Sequence, residues 1–311
     1  PTPITSANIR SIKAQNDGKI LVGGTLNYFE SNTINNLIRL NENGTLDETF
    51  NYESTEKVYE INLQSNGNIL INTSGKLLQL NSSGSIIETI DSLKFIRTFI
   101  VQPDDKIIVI GLGGIEGSSS FPILYRFNAD MTPDVTFKQN NNFDDYLTDV
   151  ALQGDKIIVS GRFKDINGIS KNDIARFTSA GSLDETFDIG TGSDDGIGSI
   201  TVQENGKILI GNCYLNNFNG DNSVPAFIRL NVDGDRDFSF NTPNIDGPVS
   251  EIFVHDSTIY YEAFHCYSPD SSGNYFFRID SLGNNIESFK AIDFYDSYNL
   301  KIEFSSNDEI L

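Results

Sequence analysis

The chain has 311 residues, of which 38% are hydrophobic and 21% charged, and its formal net charge is −21. This is the balance of an ordinary globular protein, and so acidic a surface excludes nucleic acid as a partner. No apolar run approaches the roughly 18 residues of a membrane span, so membrane insertion is excluded as well.

A segment that begins with Gln recurs along the chain, followed each time by a turn and an apolar run. The copies read QNDGKILVGG from Gln15, QSNGNILINT from Gln64, QPDDKIIVIG from Gln102, QGDKIIVSG from Gln153 and QENGKILIGN from Gln203. A degenerate copy begins at His255, and a further one begins at Ser305. A period of about fifty residues indicates a repeat architecture in which each copy is one supersecondary unit.

A second motif lies between these segments. It reads IRLNENGTLDETF up to Phe50, and related copies end at Phe137, Phe187 and Phe240, with weaker ones at Ile90 and Phe289. Each repeat therefore predicts four short strands: an alternating run before Gln, the apolar run, an LIRLN-type run and a TLDETF-type run. Asn, Asp and Gly supply the tight turns between them.

Four strands per repeat and no helical periodicity predict an all-β protein, a β-propeller of four-stranded antiparallel blades. The repeat units are 9–57, 58–94, 95–145, 146–196, 197–248 and 249–297, with a partial unit over 298–311. Six complete repeats and the start of a seventh predict a single seven-bladed domain that is truncated from a longer chain.

The two motifs resemble the delta-60 repeat of bacterial and phage proteins, most closely in the first, fourth and fifth copies. The resemblance covers essentially the whole chain. It implies a β-propeller in a secreted, cell-surface or phage-tail protein, and it supplies no catalytic residue.

Two polar positions recur within the second motif. Arg occurs in the third strand and Asp in the fourth, as Arg39 and Asp47, Arg126 and Asp134, Arg176 and Asp184, and Arg229 and Asp237. The second repeat loses both, with Gln79 and Ile87 in their places, which favours an Arg–Asp pair inside each blade, joined as a fork. The alternative is that the arginines, with Arg278, surround an anion site.

Few residues indicate a metal or a disulfide. Asn231, Asp233, Asp235 and Asp237 alternate like the oxygen ligands of a calcium loop, so Ca²⁺ is a weak candidate and no other cofactor is expected. Cys213 and Cys266 follow the second strands of adjacent repeats, where a disulfide and two free thiols are both possible. His255 stands at the Gln position and is expected to be structural.

Variable loops follow the second strands and are expected to share one face of the propeller. Their aromatic side chains suit glycans or protein epitopes, although buried loop anchors are the alternative. The candidate ligand-binding residues are Tyr28, Phe29, Phe163, Tyr214, Phe218, Phe264 and Tyr267.

No hydrolase motif or phosphate-binding loop is present in the sequence, so catalysis is not expected. The sequence favours a non-catalytic binding module, an adhesin or receptor-binding propeller that engages a glycan or protein receptor outside the cell or on a virion. A docking propeller within a larger assembly is the alternative, and a glycan-active enzyme is the third possibility.

Overall fold

The computed structural model describes residues 8–29, 32–73, 75–113, 121–139, 141–211, 217–222, 224, 227–242, 249–265 and 273–289. All regular elements within these ranges are β-strands. No helix able to cross a membrane occurs in this described part of the chain.

Each of the six complete repeats forms its own sheet. The first contains β1 (Asn8–Ala14), β2 (Ile20–Thr25) and β5 (Leu37–Leu40), in that order, with the hairpin β3 (Tyr28–Phe29) and β4 (Asn32–Thr33) between the last two in the chain. The second contains β6 (Glu60–Leu63), β7 (Ile69–Asn72), β8 (Leu77–Leu80) and β9 (Ile86–Ile90). The third contains β10 (Phe95–Val101), β11 (Ile107–Gly113) and β12 (Phe121–Phe127).

The remaining repeats continue this order. The fourth contains β13 (Leu147–Gln153), β14 (Lys156–Gly161) and β17 (Ile174–Phe177), with the hairpin β15 (Asp165–Ile166) and β16 (Ile169–Ser170) inserted in the chain. The fifth contains β18 (Ser199–Val202), β19 (Ile208–Gly211) and β20 (Phe227–Leu230). The sixth contains β21 (Val249–His255), β22 (Thr258–His265), β23 (Gly273–Ile279) and β24 (Asn285–Phe289). Neighbouring strands pair antiparallel.

The predicted fourth strand is regular only in the second and sixth repeats. Elsewhere the TLDETF-type segment makes one isolated bridge, such as Leu40 to Leu46, and then turns away. The cause is the recurring aspartate: Asp47 Oδ1 accepts hydrogen bonds from the Thr49 backbone N–H at 3.0 Å and hydroxyl at 2.6 Å. This local turn competes with strand pairing. Ile87 and Ile286 make no such turn, so β9 and β24 continue their sheets.

The second strands are largely buried, as their continuous apolar runs indicate. All residues of β7 and of β19 are buried. The chain divides into two compact units, one with the first two repeats and most of the third, and the other with the fourth to sixth. Within the first unit, Leu21, Val58 and Ile71 belong to one core cluster. Within the second, Ile158, Ile200 and Ile210 do so.

Side chains also join the first strands of neighbouring repeats. Ser11 Oγ accepts from the Ile61 backbone N–H at 3.0 Å. Asp149 Oδ2 accepts from the Ile200 N–H at 2.9 Å. The repeat therefore carries polar connections to the next copy as well as apolar ones.

Candidate functional site

The Arg and Asp of the second motif meet in four repeats. Nε of the arginine lies 2.8 Å from Asp Oδ2 in Arg176–Asp184 and 2.7 Å from it in Arg39–Asp47, Arg126–Asp134 and Arg229–Asp237. A lysine from the second strand also reaches this Oδ2, at 2.7 Å for Lys156. The other lysines are Lys19, Lys106 and Lys207. Each carboxylate thus binds two cations, of which the repeat pattern had predicted only the arginine.

The expected fork between guanidinium and carboxylate is wrong for Arg176. Only Nε contacts Asp184, while Nη1 donates to the Val232 carbonyl of the next repeat at 2.7 Å and to Gln153 Oε1 at 2.8 Å. Gln153 Nε2 donates to the same carbonyl at 3.1 Å. The arginine therefore links one repeat to the next. We call this arrangement the inter-repeat node.

A phenylalanine completes the node. The guanidinium of Arg176 lies 4.8 Å from the Phe187 ring centroid, and that of Arg229 lies 4.5 Å from the Phe240 ring. Cations attract aromatic faces at these distances. The final Phe of the second motif is therefore part of the ionic cluster.

The carboxylates of Asp47, Asp184 and Asp237 are charged at neutral pH. Burial alone would raise the pKa of Asp184, but hydrogen bonds from Lys156, Thr186 and Arg176 hold it well below its usual range. The pKa values of Asp47 and Asp237 are lowered in the same way. The four node arginines are all buried, so they offer no accessible guanidinium to an external anion.

The second repeat makes the same connection without charge. Gln79 Nε2, in place of the arginine, donates to the Ala129 carbonyl at 2.9 Å and to Gln64 Oε1 at 2.6 Å. Gln64 donates to the same carbonyl at 2.9 Å. With no cation at this position, the carboxylate is also dispensable, and Ile87 replaces it.

The calcium candidate is a turn of the repeat. The Asn231 N–H donates to the Asp235 carbonyl at 2.8 Å, and Asn231 Nδ2 donates to Asp235 Oδ2 at 2.9 Å. Asp237 Oδ2 is held at 2.7 Å by both Lys207 and Arg229, which contradicts its role as a ligand. No group of three or more His, Cys, Asp or Glu side chains in the described ranges has the geometry to hold a metal.

The predicted ligand-binding aromatics have different outcomes. Phe163 and Phe218 are fully buried, so these two correspond to the alternative of buried loop anchors. Tyr28 and Phe29 form β3, and Phe264 lies in β22, but their side chains are outside the described part. Tyr214, Tyr267 and both cysteines also lie outside the described residues.

The loop of the fifth repeat folds as a hairpin. The tip of this hairpin contacts the segment that connects the fourth repeat to the fifth. Phe218 and Asp221 exchange backbone hydrogen bonds at 3.1 Å, and Asn219 and Gly220 between them have φ of 55° and 80°. Asn-Gly is the pair that such a turn requires. Asn219 Nδ2 donates to the Ile189 carbonyl at 2.6 Å, and its Oδ1 accepts from the Gly192 N–H at 3.0 Å.

A cleft of about 340 Å³ lies beside this hairpin. It is lined by Asp188, Ile189, Gly190, Phe218, Asn219, Asp221, Asp235, Arg236 and Phe238. Arg236 Nη1 binds Asp221 Oδ2 at 2.8 Å, and its guanidinium lies 5.0 Å from the Phe238 ring centroid. Phe238 is 82% exposed. The cleft thus combines an open aromatic ring with carboxylate, amide and guanidinium groups.

The charged and aromatic side chains of the cleft distinguish the fifth repeat from the fourth. The fourth repeat has an equivalent Asn-Gly hairpin, in which Asn167 Oδ1 accepts from the Asn142 N–H at 2.9 Å. At the positions of Arg236 and Phe238, however, the fourth repeat has Leu183 and Glu185. This departure from the repeat motif is visible in the sequence and is the signal that identifies the cleft.

The fourth repeat also contains a buried ionic cluster around Asp173. Asp173 is fully buried with φ of 63°, and its carboxylate accepts from Lys164 Nζ at 2.8 Å and from the Ser193 N–H at 2.7 Å. Burial raises the pKa of Asp173, against the hydrogen bonds from Lys164 and Ser193. Ser193 Oγ donates to the Gly196 carbonyl at 2.9 Å. The cluster joins the loop after β14 to the link before β18.

Comparison with known proteins agrees with the repeat. Residues 15–50, 102–137, 153–187 and 203–240 match a family model described as "Domain of unknown function (DUF5122) beta-propeller". These repeats are β-propeller repeats. No curated protein sequence matches the propeller.

Solved structures similar to the propeller have low sequence identity. Virginiamycin B lyase from Staphylococcus aureus is 17% identical, with a TM-score of 0.59 over 91% of this chain and 84% of that one. A streptogramin B lyase is 16% identical, with a TM-score of 0.59 over 97% and 89%. The AfRom2 CNH domain is 9% identical, with a TM-score of 0.62 over 94% and 88%. Similarity at this level shows the fold alone.

Proposed function

We propose that the chain is a non-catalytic binding module, and that it engages a glycan or a protein through the cleft of the fifth repeat. The observation that carries this proposal is Phe238. It is a large apolar side chain that is 82% exposed beside a concave surface, where other repeats have Glu48, Val135 or Glu185. Among the described residues, the Arg236 guanidinium contacts this ring at 5.0 Å, and the ring is otherwise open to solvent.

The composition of the cleft supports recognition of a polar ligand. Binding sites combine an apolar surface with a few placed polar groups. The free face of the Phe238 ring offers the apolar surface. Asp188 and Asp235 offer acceptors, and Arg236 is oriented by its ion pair with Asp221. Because Gly190 and Asn219 fix the cleft wall through the hairpin contact, the polar groups are held in place before a ligand arrives.

We propose that the binding module acts outside the cell. The repeat motifs resemble the delta-60 type, and four of the repeats match a propeller family. We propose an adhesin or receptor-binding role on a cell surface or a virion, without a cofactor.

A docking propeller is the second candidate function. Its support is the edge strand β9, in which Ile86 and Ile87 are 46% and 45% exposed. An exposed apolar edge strand is a template for pairing with another chain. In that case, partner binding would depend on β9 and would be insensitive to Phe238.

The experiment is a glycan-array screen of the wild-type chain beside Phe238→Ala. We expect one group of related glycans to be retained by the wild type and lost by the variant. Retention of no glycan, or equal retention by both proteins, would contradict a glycan ligand at this cleft. Incubation with virginiamycin B and with the retained glycans tests the non-catalytic part, since product formation would contradict it.

A further inference from the structure

Basic and aromatic side chains come together in the first unit, although the protein as a whole is strongly acidic. Arg10 lies in β1, Tyr59 directly precedes β6, and Arg97 lies in β10. Arg97 and Lys57 are exposed, whereas Arg10 and Tyr59 are half-buried. No run of basic residues in the sequence reveals this group, because its members belong to three different repeats.

Two of these residues are the extra residues of β-bulges. The β1–β2 register shifts at Arg10, and the β10–β11 register shifts at Arg97. By repeat position, Tyr59 occupies the same place in the second repeat. A bulge re-aims a side chain out of the regular alternation, and bulges are over-represented beside functional sites.

Contacts between the strands place these positions side by side. The Arg10 guanidinium lies 5.0 Å from the Tyr59 ring centroid. The next residue after Tyr59, Glu60, accepts a hydrogen bond from the Thr98 hydroxyl at 2.9 Å. Because Thr98 directly follows Arg97, this bond brings β6 and β10 together at the level of Tyr59 and Arg97.

The Arg10 side chain has a donor that the described residues do not satisfy. Its Nε is buried, and no described residue accepts a hydrogen bond from it. When the face of a guanidinium packs against an aromatic ring, the N–H groups at its edge can still donate hydrogen bonds. Carboxylates match the geometry of that edge. Because Nε is buried while Arg10 as a whole is half-buried, a ligand would meet the terminal Nη1 and Nη2 edge of the guanidinium.

We propose that Arg10, Tyr59 and Arg97 form a binding site for the carboxylate of an acidic sugar. The arginines pair with the carboxylate through charge-assisted hydrogen bonds. The ring of Tyr59, together with Phe95, which is 48% exposed, offers apolar faces to the sugar. Since this site lies wholly in the first unit and shares no residue with the fifth-repeat cleft, the two proposals stand separately.

The test uses hexagalacturonate as the probe, measured by isothermal titration calorimetry at low salt. We expect Arg10→Gln and Arg97→Gln each to weaken binding about tenfold or more, and Arg97→Lys to weaken it less. Lys138→Gln, which removes an exposed cation from the second unit, is the matched control and should bind like the wild type. The fully methyl-esterified hexasaccharide, which has no charge, should not bind.

Thermal unfolding establishes that each variant is folded. If Arg10→Gln does not fold, Arg97→Gln decides alone, because Arg97 is exposed. The proposal is overturned if the wild type does not bind hexagalacturonate, if both arginine variants bind normally, or if Lys138→Gln loses as much affinity as they do. Phe238→Ala should leave this affinity unchanged, which separates the outcome from that of the fifth-repeat cleft.

Discussion

Nε of Arg176 lies 2.8 Å from Oδ2 of Asp184, and both side chains are buried. The same arginine donates to the Val232 carbonyl in the next repeat. Asp184 therefore orients Arg176 for its hydrogen bond to the next repeat. We expect loss of this ion pair to lower the free energy of unfolding more than loss of a surface salt bridge.

The first prediction concerns this pair. Asp184→Ala should lower the free energy of unfolding by about 3–5 kcal/mol, because it leaves the buried Arg176 without a carboxylate. Arg176→Ala should cost less, because Lys156 still binds Asp184. The double variant should lose clearly less than the sum, with a coupling of roughly 1–3 kcal/mol. Urea unfolding of the four proteins measures this cycle, and additive losses would remove the pairing argument. Ligand binding at the fifth-repeat cleft should survive.

The neutral connection of the second repeat gives a second prediction. Gln79→Arg alone should destabilise the protein by about 2–4 kcal/mol, since it buries a cation at a position where Ile87 replaces the carboxylate. Adding Ile87→Asp restores the motif of the other repeats and should recover at least half of that loss. If the double variant is less stable than Gln79→Arg alone, the equivalence of the two kinds of node is wrong.

Acid should weaken the nodes. The folded-state pKa of Asp184 lies below its unfolded value of about 3.9, so its contribution is present above that pH and is lost as the pH falls further. Asp184→Asn cannot titrate, so its free energy of unfolding should fall less steeply between pH 5 and pH 2. Glu185→Gln, which removes the exposed neighbouring carboxylate, should keep the wild-type slope. Equal slopes for the wild type and Asp184→Asn would contradict this account.

The hairpin contact at the cleft predicts a specific glycine requirement. A Cβ at Gly190, where φ is 83°, would lie 2.6 Å from Asn219 Oδ1. Gly154 has φ of 63° and nothing within 4 Å, so Gly154→Ala measures the backbone cost alone, about 1 kcal/mol. Gly190→Ala should cost clearly more and also weaken ligand binding at the cleft. If Gly190→Ala and Gly154→Ala lower the thermal stability equally, the contact between residue 190 and Asn219 does not constrain the cleft.

The repeats made the architecture predictable from the sequence. The recurring Arg and Asp positions predicted the ion pairs, because the second repeat lost both together, but not the link of Arg176 to the next repeat. The fourth strand was overpredicted because alternation does not show that Asp47 turns the chain through its own side chain. The lysine of the node was missed because its position resembled an ordinary strand start.

The functional surface was predicted less well. Phe163 and Phe218 lie in variable loops, but those loops fold back as hairpins, and hairpin formation buries the rings. The Asn-Gly pairs at Asn167 and Asn219 were the signal for this folding. Phe238 was not predicted, because it stands within a repeat motif whose recurring residues indicate the fold, whereas only its departure from the other copies indicates a site.

The affinity of Phe238→Ala for a glycan selected on the array tests the central claim most directly. Val135→Ala is the matched control, because Val135 holds the same position in the third repeat and is 92% exposed. Calorimetry should show a loss of at least tenfold for Phe238→Ala, about 1.4 kcal/mol, and no change for Val135→Ala. Equal affinity of Phe238→Ala and the wild type, with both folded, would contradict binding at the cleft of the fifth repeat.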